Sequence, residues 1–229
     1  MIKNTRTSIY AGVNFIVAPL PDLSIEKRLE FQRQLDELGI QATDIKFENQ
    51  RLSVIRGGPM PLEVSIGAIA PQIGQILIIA PQVQKRSLEG FGQEARDVAN
   101  IFVDLWPQRQ IISCDATIRD LYDSSGEHAF KEIWELRLKQ PPNSLVPLGR
   151  PVLGGGLRFI MPPTSDDPKD HLIELKVESF LQDTKKLFLE AQVSWGKPQL
   201  PGTALDPENR LLFVDNFLQT ETMKFVMEE

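Results

Sequence analysis

The sequence predicts an α+β fold made of two consecutive β-α-β(3-4)-α units, residues 1–107 and 108–229, with antiparallel sheets each covered on one face by helices. Three observations carry this reading. Leu62 to Trp106, two apolar strand-like runs followed by a long amphipathic helix, falls without a gap and at a constant offset on Ile173 to Phe217. Ser8 to Val17 alternates apolar and polar residues, and Ile112, Cys114, Ala116 and Ile118 repeat that alternation. A helical pattern follows each of these strands, aligning Phe31 with Trp134 and Leu35 with Leu138. Self-similarity at a fixed period is weighed first because it decides the architecture.

In the first strand Ile9, Ala11, Val13, Phe15 and Val17 share one side, and Pro19-Leu20-Pro21-Asp22 turns the chain. Ser24 suits a helix N-cap and Gly39 a stop; the helix between them is expected to bury Ile25, Leu29, Leu35 and Leu38. Asp44 to Arg56 reads as a hairpin turning at Glu48-Asn49-Gln50, and Gly57-Gly58-Pro59 breaks the chain before the strand from Leu62. A second hairpin turns near Pro71 to Gly74. From Ser87 to Trp106, Leu88, Phe91, Ala95, Val98, Ala99, Phe102, Leu105 and Trp106 form a helical stripe that Pro107 closes.

The second unit repeats the order. A helix is expected from Gly126 to Leu138 with Phe130, Ile133, Trp134 and Leu138 inward. Strands follow near Leu157 to Met161, His171 to Phe180 and Lys186 to Trp195, then a last helix from Pro207 to Met227. The offset between the copies grows along the unit, and the Pro- and Gly-rich stretch 140–156 accommodates the extra residues. This element order resembles the duplicated β-α-β4-α architecture of the TATA-box-binding protein, and each half resembles the helix-grip fold of plant pollen allergens. The chain carries no diagnostic motif of either family, so the resemblance implies topology and no site residue.

With 229 residues, 41% hydrophobic and 24% charged, the chain has the composition of a globular protein able to bury a core. A formal charge of −6 opposes sequence-independent binding to nucleic acid or anionic lipid. No stretch reads as a membrane span or a leader, so a cytoplasmic location is expected. Cys114 has no partner for an internal disulfide and reads as a buried thiol.

Candidate chemistry is sparse. His128, beside Glu127 and near Asp123, reads as a polar first-turn residue. His171 follows Asp166-Asp167-Pro168-Lys169-Asp170, an acidic loop without EF-hand spacing. Gly154-Gly155-Gly156 between Arg150 and Arg158 is a weak anion-cradle candidate, since bare amides and guanidinium groups bind anions, but no P-loop lysine follows. No nucleophile elbow, His-Glu-x-x-His or Cys-x-x-Cys motif occurs. A non-enzymatic role without metal or cofactor is therefore expected.

The outward strand face is the informative one. Ile69, Leu77 and Ile79, with Phe180 and Phe188 in the second copy, are apolar where water would favour polar residues. Basic residues are scarce there, and Lys169, Lys176, Lys185, Lys186 and Lys197 interleave with Glu174, Glu178 and Glu190, which argues against a nucleic-acid saddle. The expected function is protein contact or homo-oligomerisation through Ile69, Leu77, Ile79, Phe180 and Phe188. The alternative is a small-molecule binder with an apolar pocket between sheet and long helix, near Phe91, Phe102, Trp106, Trp134 and Phe217.

Overall fold

A computed structural model describes residues 2–83, 87–164, 171–196 and 205–227. Their strands form one nine-stranded antiparallel sheet, where two sheets were expected. The first strand, β1 (Ile2–Ala18), is followed by α1 (Ile25–Glu37), the hairpin β2 (Asp44–Glu48) and β3 (Arg51–Arg56), then β4 (Leu62–Ala70), β5 (Ile73–Ala80) and α2 (Leu88–Leu105). Next come β6 (Gln110–Asp123), a short α3 (Ala129–Lys131) continued by a π-helix over Glu132–Arg137, and a 3-10 segment Pro142–Leu148. The chain continues with β7 (Gly156–Met161), β8 (Leu172–Ser179), β9 (Lys186–Trp195), α4 (Pro207–Phe217), a π-helical turn Leu218–Thr222 and α5 (Met223–Met227). No helix among the described residues is long and apolar enough to cross a membrane.

The sheet order is β2-β3-β4-β5-β1-β6-β9-β8-β7. The joint is the β1·β6 pair, in which Val13 opposes Ala116 and Phe15 opposes Cys114. β1 and β6 are flanked on both sides and must each satisfy two ladders, and their alternation between the bulges suits that position. Turn chemistry fixes the outer registers. Asn49 and Gln50 take φ of 51° and 58°, the paired left-handed conformation of a two-residue hairpin, and in the next hairpin Gln72, after Pro71, is left-handed at 63°.

Helices cover one face. Val13, Phe15, Ile66, Ile76, Ile78, Ile118, Leu189 and Val193 are buried there against Phe91, Val98, Phe102, Leu211 and Val214. Ser87 Oγ accepts from Gly90 N at 3.0 Å and starts α2, whose rings at Phe91 and Phe102 are fully buried, worth about 1.5–3 kcal/mol each.

Several sequence expectations need correction. α1 buries Phe31 and Leu35, not Ile25, Leu29 and Leu38, which are 68%, 61% and 48% exposed. Phe31 wins because Trp106 lies 6.0 Å from it, and the helix then turns Ile25 and Leu29 outward. A bulge at the start of β6 buries Ile111 in place of Ile112, and another at Ile9 in β1 reverses the facing of the residues before it. The expected regular helix 126–138 is largely π-helical, with Leu138 N donating to Ile133 O at 2.9 Å, and leaves Trp134 and Leu138 only half-buried.

Candidate interaction surface

Among the described residues the opposite face of the sheet carries no helix, and its outward side chains form cross-strand rows. In one row Gln75 Nε2 donates to Asn14 Oδ1 at 2.8 Å, Asn14 Nδ2 to Asp115 Oδ2 at 3.3 Å, and Ser194 Oγ to Asp115 Oδ1 at 2.5 Å. In the next, Arg119 lies 4.4 Å over the Tyr10 ring and pairs with Glu190, which also accepts from Lys176. Lys176 lies 3.6 Å from Glu174, and Arg158 closes the series on Glu174 at 2.9 Å. Charges of alternating sign thus follow one another from β6 to β7, three cations around two carboxylates. Tyr10 has room to lie along β1 because Gly12 has no side chain: a Cβ there would stand 2.8 Å from the phenol oxygen.

The apolar candidates flank these rows. Leu77 and Ile79 are half-buried on β5, opposite Asn14 and Gly12 of β1, while Ile69 is 47% exposed at the irregular end of β4. Phe188 of β9 stacks on Phe180 with ring centroids 6.3 Å apart. The most exposed large apolar residues lie elsewhere, including Ile25 on α1 and Val146, Leu153 and Leu181 in the connections of the second half.

Glu190 has a defined electrostatic role. Desolvation would raise its pKa, but the hydrogen bonds from Lys176 and Arg119 outweigh it and hold the carboxyl below its ordinary value. Glu174 is held low in the same way, first by Arg158. A carboxyl depressed in the folded state contributes fully above its unfolded pKa and loses that contribution as pH falls through the folded value. Glu190→Gln is therefore expected to lose about 1 kcal/mol at neutral pH. The gap to wild type should narrow as pH drops below the ordinary value of 4.5, as thermal melts carried into the acid range would show.

The weak anion candidates separate in space. Arg158 sits on the open face with Glu174, whereas Arg150 lines a cavity of about 490 Å3 with Phe130, Lys131, Trp134 and Val146. The glycine run serves a close strand approach. Gly155 N donates to Ser179 Oγ at 3.1 Å, and a Cβ on Gly156 would stand 2.2 Å from the Val177 carbonyl. His128 Nδ1 accepts from Phe130 N as the cap of α3. His171 packs edge-on to Phe213 at 4.4 Å, and the acidic loop 166–170 before it lies outside the described residues, as does Lys197. Asp123 pairs with Lys186, Glu127 is exposed, and burial pushes the Cys114 thiol up. Among the described residues, no group of three or more His, Cys, Asp or Glu could hold a metal ion.

Two polar centres lie on the helix-covered side, and neither was singled out in the sequence. Asp120, fully buried on β6, accepts from Arg6 Nε at 2.8 Å and Ser8 Oγ at 2.7 Å, and Arg6 also reaches Asp215 of α4 at 2.5 Å. Gln219 of the following π-helical turn lies against the same guanidinium. Burial pushes Asp120 above the usual carboxylate range, against the pull of Arg6 and Ser8. The signal was a carboxylate at an inward position of an otherwise apolar alternation. The second centre is Arg109, just before β6, buried with no counter-charge in contact among the described residues. Comparison with protein-family models and with curated protein sequences finds no match.

Proposed function

We propose that this protein is a non-enzymatic interaction module whose uncovered sheet face contacts another protein, most simply a second copy of itself. The observation that carries the proposal is the composition of that face. From β6 to β7 its charged residues Arg119, Glu190, Lys176, Glu174 and Arg158 are paired across the strands, and half-buried Leu77 and Ile79 on one side and the Phe180–Phe188 stack on the other remain to be covered. A surface whose charges are engaged in cross-strand pairs offers little steering for a polyanion and suits a sheet or helix laid across it. A twofold pairing of identical faces is the simplest closed arrangement.

The sheet order supports a further part of this reading, that the chain is a duplicated β-α-β(3-4)-α unit of the kind seen in the TATA-box-binding protein, folded about the β1·β6 joint. The pairing registers differ between the halves: Val64 pairs with Ile78, whereas their counterparts Leu175 and Leu189 pair with Ala191 and Val177. The slip is an even number of residues and so preserves which side chains face the helices.

Size-exclusion chromatography with light scattering tests the self-contact. A concentration-dependent dimer is expected, and Leu77→Arg, with wild-type circular dichroism, should shift it to monomer. A strict monomer at high concentration would sink the self-association form. Small-molecule binding is the second reading, favoured by apolar-walled cavities beside Trp134 and Trp106. Between sheet and long helix, Phe91 and Phe102 are fully buried in the core.

A further inference from the structure

β7 is one end of the sheet, and among the described residues no strand pairs with its outer edge. Its main chain is set for pairing there. Ser179 N donates to the Gly155 carbonyl at 3.0 Å, and the register runs on through Leu157 opposite Val177 and Phe159 opposite Leu175. Bonded pairs alternate in an antiparallel ladder, so these residues turn their amides to β8 while Gly156, Arg158 and Ile160 turn theirs outward. The side chains agree with an unfinished layer. On the helix-covered side Leu175 and Val177 of β8 are buried, whereas Leu157, Phe159 and Met161 of β7 are only half-buried.

The two ends of the sheet differ. β2 is guarded by charge: Asp44, Lys46 and Glu48 alternate along it, and the Arg28 guanidinium lies 3.8 Å over Phe47. Such charges keep a sheet edge from pairing. β7 has one ionisable residue, Arg158, with Ile160 exposed on the same side of the strand. The carboxylates acting on Arg158 are Glu174, Glu178 and Glu190, all on β8 and β9, and Lys176 stands directly opposite it. Its side chain is 58% exposed, and no carboxylate among the described residues faces it from beyond the edge.

We propose that β7 takes up an extended segment of another protein as one more antiparallel strand, with apolar residues toward the helices and a carboxylate beside Arg158. Main-chain hydrogen bonds to Gly156, Arg158 and Ile160 supply affinity, and the alternating side chains select the partner. The incoming apolar residues cover Leu157, Phe159 and Met161, and the carboxylate gives Arg158 an opposite charge across the new ladder. A second copy of β7 does not meet this requirement, because Gly156–Met161 contains no carboxylate. The edge is separate from the sheet face around Leu77, so either proposal can fail alone.

The test is fluorescence anisotropy of a tagged peptide, Ser-Val-Thr-Val-Glu-Val-Thr-Ser, titrated with the full chain. Saturable binding is expected, with a lysine-for-glutamate peptide at least about tenfold weaker. Arg158→Glu should invert that preference. N-methylation of the peptide's glutamate amide, which turns toward β7, should abolish binding; N-methylation of the central valine amide, which turns away, should not. Ile160→Pro removes an outward N–H and no bond to β8, and should lose the peptide as well. If that variant melts lower than wild type, the methylated peptides make the same test on the intact chain. Leu77→Arg should bind the peptide unchanged. No saturation up to about 1 mM, equal binding of the two methylated peptides, or a charge preference that Arg158→Glu leaves as it was would overturn the proposal.

Discussion

Arg6→Leu is expected to destabilise the protein by about 3–5 kcal/mol, because it strands the fully buried Asp120 carboxylate with only the Ser8 hydroxyl as partner. Chemical denaturation at neutral pH would measure it. Asp120→Asn should cost less, since Arg6 keeps Asp215. The double variant Arg6→Leu/Asp120→Leu should recover much of the loss, giving a coupling energy well outside additivity. The pH dependence has a definite sign. Asp120 already titrates above its ordinary value in the folded chain, and losing Arg6 raises it further. A folded-state pKa above the unfolded one means that the native state binds the extra proton, so stability is present at low pH and lost as pH rises through the folded value. The deficit of Arg6→Leu relative to wild type should therefore shrink as pH falls. A deficit that grows on acidification would show that Asp120 is not the stranded group.

Phe102→Ala is the second large effect, again about 3–5 kcal/mol, from lost burial and the cavity left behind. Phe102 is fully buried, packs at a tilt against Trp106 and supports the Arg109 guanidinium. The variant should unfold at lower denaturant with an unchanged slope, the mark of a loss of stability without a change in the surface exposed on unfolding. Leu29→Ala is the control. Its side chain is 61% exposed on α1, and its change should fall within about 0.5 kcal/mol.

That control rests on a residue expected to be buried from the sequence, and the reason is instructive. Ile25, Leu29 and Leu38 belong to an apolar helical pattern, but so do Phe31 and Leu35, and local periodicity cannot decide which stripe a neighbouring Trp106 will select. Strands were legible because their period is short and turn residues mark their ends: β3, β7, β8 and β9 lie within a residue or so of their expected limits. The bulges at Ile9 and at the start of β6 left no such mark, and each reverses a facing. The single sheet depends on β1 and β6 choosing each other, a contact no local pattern records. Leu77, Ile79, Phe180 and Phe188 were visible by alternation, whereas the ion-pair rows beside them depend on cross-strand register. Arg109 has no periodic neighbour to betray it, and its burial follows from how α2 ends.

The β1·β6 joint also sets a timetable for making the protein. Asn14 and Asp115 meet across 101 residues of sequence, and Arg6 and Asp215 across 209. At synthesis rates of ~5–20 residues per second, one flank of β1 waits roughly 5–20 s for its neighbour to be made. During that interval the nascent chain can assemble β1 to β5 as a sheet whose last strand presents Val13 and Phe15 and an unpaired row of amides. The strand that anchors the finished molecule is, in the ribosome's order of events, its longest-exposed adhesive edge.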